Sequence, residues 1–122
     1  VTEDAAARIA ADREATVRRL AALEREFDGI VAAAGQAGTD DEHDPEGATS
    51  AFERQHLAAL IAQAQARLKE IDAAAGRLAA GIYGRCERCA QPIGADRLTA
   101  RPTAVTCIRC AGRLGRNGGA RP

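Results

Sequence analysis

The sequence predicts a mainly α protein: a long antiparallel two-helix coiled-coil hairpin followed by a small four-cysteine module at its C-terminal end. Three observations carry this prediction. Two long stretches repeat apolar residues at steps of four and three; a short polar segment separates them; and all four cysteines fall between residues 86 and 110. With 122 residues the chain has room for one compact domain, or for one extended element plus a small module. Phe27, Phe52 and Tyr83 are the only aromatics, and Trp and Met are absent. Alanine dominates the apolar count, and alanine supports helices better than it fills interiors. An elongated helical protein is therefore expected.

The first helix runs from about Glu3 to Ala34. Thr16, Leu20, Leu23, Phe27, Ile30 and Ala34 follow one another at steps of four and three, the seam of a coiled coil. Ile9 and Val17 broaden the stripe. Gly35-Gln36-Ala37-Gly38 ends it, as glycine near a helix end should. The second helix has the cleaner seam: Leu57, Ile61, Ala64, Leu68, Ile71, Ala75, Leu78 and Ile82. It starts at Asp44-Pro45-Glu46, with Asp44 as N-cap, Pro45 at the first helical position and Glu46 in the first turn. Ala80-Gly81 is its stop. At 1.5 Å per residue each helix should be roughly 50 Å long. Gly29 and Gly76 within the helices cost about 1 kcal/mol each against alanine.

Neither helix can bury its stripe alone, so two matched seams joined by a short link fit a hairpin. Pairing between chains is the alternative; the matched lengths favour a chain folded on itself, a monomer. The expected organisation is a coiled-coil hairpin over 1–81 with an acidic tip at 36–47, a four-cysteine finger module over 82–114 and a flexible tail over 115–122. Phe52 is expected to seal the tip end of the hairpin core. The tip holds Asp40, Asp41, Glu42, Asp44 and Glu46, broken only by His43 and Pro45.

Cys86 and Cys89 form one C-x-x-C pair and Cys107 and Cys110 a second. Such a knuckle turns the chain tightly enough to offer two thiolates to one ion, and two knuckles at this spacing match a zinc ribbon. One structural zinc is expected, with no open position for catalysis. A redox dithiol would call for a βαβ pattern that the chain lacks, and structural disulfides for an oxidising compartment.

The stretch GIYGRCERCAQPIGADRLTARPTAVTCIRC resembles the zinc-finger signature of the DksA/TraR family. Tyr83-Gly84, Cys86, Cys89, Ile93, Arg97-Leu98, Ala100-Arg101-Pro102, Cys107 and Cys110 carry the likeness, and Ala90 stands where a glycine is usual. The resemblance implies a bacterial transcription regulator that binds RNA polymerase directly, not DNA. Its coiled-coil tip would enter the secondary channel, and acidic tip residues would alter the lifetime of promoter complexes, in some members together with ppGpp. The family tip reads Asp-x-x-Asp-x-Ala. Asp41 and Asp44 supply the aspartates in the favoured register, with Glu46 in place of alanine and Glu42 beside them. Counting back without gaps from the cysteines instead lays His43 over the first aspartate and Glu46 over the second. Arg97 and Arg101 pack across the module, cap its turns, or contact the polymerase.

Charge separates the competing functions. Residues 1–81 hold fifteen acids and nine bases, whereas residues 82–122 hold two acids and eight bases. A basic module could meet phosphates, so a zinc-ribbon nucleic-acid binder is one alternative and a zinc-thiolate redox sensor another. Acidic helices and the shortage of aromatics for base stacking count against the first, and no sequence-specific DNA binding is expected. No nucleophile–base constellation points to an enzyme. No stretch is apolar enough for a membrane span and no leader opens the chain, so a cytoplasmic protein without a membrane partner is expected.

Overall fold

The computed structural model describes residues 2–36 and 45–118, with side chains placed for 3–35 and 48–113. Four helices follow one another: α1 (Thr2–Gln36), α2 (Pro45–Ala80), α3 (Ala95–Ala100) and α4 (Ile108–Gly118). Among the described residues there is no strand, only an isolated antiparallel bridge between Arg85 and Pro92. The ribbon expected of the cysteine module is thus reduced to a single rung.

Helix α1 opens with Glu3 and Asp4 in its first turn, where carboxylates offset the exposed N–H dipoles. Helix α2 begins at Pro45, whose fixed φ and missing N–H suit the first helical position. Its end is a Schellman closure. Gly81 N–H bonds Leu78 O at 3.2 Å and Ile82 N–H bonds Arg77 O at 3.0 Å. Gly81 sits at φ 77°, the left-handed conformation that this closure requires. Ile82 therefore terminates the helix instead of extending its seam, and it is 46% exposed.

The chain divides into two compact units, Val1–Asp12 with Glu70–Pro122, and Arg13–Lys69. In the second unit Leu23 of α1 is buried with Leu57 and Ala64 of α2, and Leu20, Phe27, Ile30, Leu60 and Ile61 pack around them. In the first, Ile9 of α1 is buried with Ile71 and Ala74 of α2, flanked by Leu78 and Tyr83. Early residues of α1 thus meet late residues of α2, and later ones meet earlier ones: the helices pair antiparallel, as an intramolecular hairpin. All six seam positions read for α1 are buried or half-buried.

Four further expectations are corrected. The α2 seam runs Ile71, Ala74, Leu78, with Ala75 exposed; within Ala73-Ala74-Ala75 the side chains are identical, so packing alone selects the register. Val17 is 40% exposed and does not widen the stripe. Phe52 is 74% exposed, so it does not seal the core. It lies on the side of α2 away from Leu57 and Ala64, the residues that pack against α1. Helix α4 also runs on to Gly118, so 115–118 are helical where a tail is expected.

Candidate metal centre

Two backbone turns build the first knuckle. Ala90 N–H bonds Cys86 O at 2.9 Å and Cys86 N–H bonds Gln91 O at 2.8 Å, folding Cys86 and Cys89 onto one side. The turn needs a left-handed residue at position 90, and Ala90 takes φ 64°. A Cβ in that conformation crowds the following carbonyl, which is why glycine is the easier occupant. Just upstream, Gly84 holds φ 86°, and a Cβ there would lie 3.3 Å from Leu98 Cδ1. Ile93 N–H bonds Gly84 O at 2.8 Å, bringing Ile93 under the knuckle.

The second knuckle opens α4. Cys107 immediately precedes the helix, Cys110 lies in its first turn, and Ala111 N–H bonds Cys107 O at 2.8 Å. A helix N-terminus turns its free N–H groups toward such thiolates and favours their charge. The knuckles are joined by Glu87 N–H to Val105 O at 2.9 Å. Cys86, Ile93, Ala104, Cys107 and Cys110 form the module's small core, with Cys89 and Leu98 packed against it.

All four sulfurs lie within 4.8 Å of one another, and Cys89 Sγ is 3.8 Å from Cys107 Sγ. Four thiolates held at about 2.3 Å in a tetrahedron stand about 3.8 Å apart, so the donors already approximate a zinc tetrahedron. None is joined in a disulfide. Without a cation their protons conflict. Burial pushes the Cys86 thiol up, but backbone N–H groups of Cys107, Cys89 and Arg88, with the Cys89 thiol, bring it down to about 6. Cys107 is lowered chiefly by the Cys110 N–H. Cys110 is pushed up to about 12, first by its hydrogen bond with Cys107 and then by burial. A dication removes this conflict, releasing the remaining protons as it binds. Four sulfurs leave no open position, so the zinc cross-links the chain and offers no site for a substrate.

The arginines named from the sequence have distinct settings. Arg97 is half-buried and its Nε donates to Thr106 O at 2.8 Å, tying α3 to the second knuckle. Arg101 is exposed; its backbone N–H closes α3 on Arg97 O at 2.7 Å. Asp41, Glu42 and Asp44 lie outside the described residues. Glu46 falls in the first turn of α2, its side chain outside the described set.

Two further contacts escaped the sequence reading. Tyr83 O–H donates to Pro102 O at 2.8 Å while its ring packs with Ile9, Ile71 and Ala74. Arg77 Nη2 donates to Thr103 O at 3.4 Å. Burial raises the Tyr83 phenol, against the lowering pull of Arg8 and Arg77. Adjacent carbonyls of the loop before Cys107 are thus gripped from the last turn of α2 and the turn that follows it. The aromatic before Gly84 was a visible signal for Tyr83; nothing local marks Arg77, whose partner is 26 residues away.

Comparison with known proteins agrees with this geometry. The prokaryotic dksA/traR C4-type zinc finger matches residues 81–114. A protein of Aquifex aeolicus described as uncharacterized is 43% identical over 54 residues, 44% of this chain and 37% of its own length. The RNA polymerase-binding transcription factor DksA of Haemophilus influenzae is 44% identical over 43 residues, 35% of this chain and 30% of that protein. The chain therefore aligns with well under half of either relative's length. The solved structure of transcription factor DksA2 from Pseudomonas aeruginosa matches with a TM-score of 0.59 at 31% identity, covering 92% of this chain and 86% of the other. The four-sulfur zinc site and a likeness that extends through the paired helices together establish that this chain belongs to the DksA/TraR family.

Proposed function

We propose that the protein is a non-enzymatic transcription regulator that binds RNA polymerase directly and acts through the secondary channel. The observation that carries this reading is the likeness to a transcription factor over the paired helices as well as the zinc finger. A zinc finger alone would support many functions. The paired helices supply the reason for a channel. Each is about 10–12 Å across, and a hairpin of two is narrow enough to enter a pore and carry charge into it. Asp41 and Asp44, with Glu42 and Glu46, would place carboxylates near the catalytic magnesium, where low dielectric strengthens every charge interaction. The outcome is a changed lifetime of promoter complexes. Arg101, exposed on the module, is a candidate polymerase contact; Arg97 serves docking through the loop it holds. The protein acts as a monomer in the bacterial cytoplasm, with ppGpp as a possible co-effector. No helix among the described residues is long and apolar enough to cross a membrane.

Binding of fluorescently labelled protein to core RNA polymerase tests the proposal, with Asp41→Asn/Asp44→Asn beside the wild type. Both should bind, and only the wild type should alter promoter-complex lifetime. Absence of binding at micromolar polymerase would remove the reading. Salt-sensitive binding to bare DNA would then favour the nucleic-acid alternative.

A further inference from the structure

The zinc centre poses a charge problem that the four sulfurs do not solve. A dication bound by four thiolates carries a net double negative charge, and Cys86, Cys107 and Cys110 are 1%, 7% and 5% exposed. Burying such a charge is costly unless positive groups stand nearby. The sequence places one in each knuckle at the same position: Cys86-Glu87-Arg88-Cys89 and Cys107-Ile108-Arg109-Cys110 both carry arginine immediately before the second ligand. The backbone N–H of Arg88 points at Cys86 Sγ, so this residue belongs to the turn that wraps the metal. Arg109 lies in the first turn of α4, between the two ligands of its knuckle. Both side chains are exposed, and neither has an ion pair or hydrogen bond to another described residue. Helix packing does not explain them either, because the module's core is built from Cys86, Ile93, Ala104, Cys107 and Cys110.

We propose that Arg88 and Arg109 act as paired counter-charges to the four-thiolate zinc centre, slowing release of the metal. Neither arginine ligates. Each lowers the energy of the negatively charged, metal-loaded state relative to the open state from which the metal leaves. Glu87 in the first knuckle opposes this effect, so Arg109, whose neighbour is Ile108, contributes more than Arg88. The proposal stands on the module alone and is independent of polymerase binding.

Transfer of zinc from the loaded full-length protein to an excess of a chromogenic chelator tests it. The wild type is compared with Arg88→Gln/Arg109→Gln and with Arg88→Lys/Arg109→Lys, at low salt and at about 0.5 M salt, where screening reaches within a few ångströms. The glutamine pair should release zinc about tenfold faster at low salt, about 1.4 kcal/mol in the barrier. The lysine pair should stay near the wild type, and the gap between glutamine and wild type should narrow in high salt. Zinc stoichiometry and far-UV circular dichroism verify that each variant folds, and the single Arg109→Gln variant replaces the pair if the pair does not. Release from the glutamine variant as slow as from the wild type would overturn the proposal. So would lysine releasing as fast as glutamine, which would mean shape and not charge, or a difference indifferent to salt.

Discussion

The paired helices and the metal module reach order by opposite routes. Around Leu23, Leu57 and Ala64 the helices are held by many small apolar contacts, several of them alanine or half-buried. The module concentrates its order in one centre, with five buried residues of which three are metal ligands. Distributed packing degrades by increments. A module with so small a core depends on its metal, because apolar burial alone does not offset the entropy of ordering it.

The largest effect expected from this contrast follows removal of zinc. Structural zinc contributes on the order of 10 kcal/mol or more in small modules. Chelation, or Cys107→Ser, should therefore melt the module while most helical ellipticity persists, and far-UV circular dichroism with amide hydrogen exchange reads both. Helices that melted as completely as the module would erase the distinction between the two regions.

Within the helices, Ile71→Ala and Phe52→Ala should part company. Ile71 is 0% exposed, and truncating such a residue costs about 2–5 kcal/mol. Phe52 is 74% exposed, and its truncation should cost less than about 0.5 kcal/mol. Urea unfolding of the two variants measures the gap.

The smallest pair exchanges the same two residue types in opposite directions. Gly29 lies inside α1 with open space where a Cβ would stand, so Gly29→Ala should stabilise by about 1 kcal/mol. In the module Ala90 holds φ 64°. Ala90→Gly removes about 1–2 kcal/mol of left-handed strain and gives back about 0.4–1 through the freer unfolded chain. A net gain of about 0.5–1 kcal/mol should appear as slightly stronger zinc retention. If Ala90→Gly weakened the module instead, Ala90 would be acting through its methyl group and not its backbone.

Local chemistry made much of this protein legible. The four-three spacing announced two helices because apolar side chains must share one face. Pro45 and Gly81 marked helix ends because their backbones suit nothing else as well. The paired C-x-x-C knuckles announced zinc because short turns present two sulfurs to one ion. The alanine in place of glycine at position 90 was visible as a departure, and the left-handed backbone is its physical content.

Other features depended on which distant groups meet. Ala74 was chosen over Ala75 by the facing helix, since identical side chains carry no register information. Phe52 and Val17 look like core by residue type, yet they lie off the face that the partner helix covers. Tyr83 to Pro102, Arg77 to Thr103 and Arg97 to Thr106 are side-chain bonds to backbone carbonyls, and every residue has one, so composition cannot name the acceptor. By itself the sequence determined the helices, most of their pairing seam and the metal ligands, because periodicity and spacing act over a few residues. Only the tertiary structure decided the seam's register, the exposed aromatic and the grip on the zinc loop, because these arise from the approach of segments far apart in the chain.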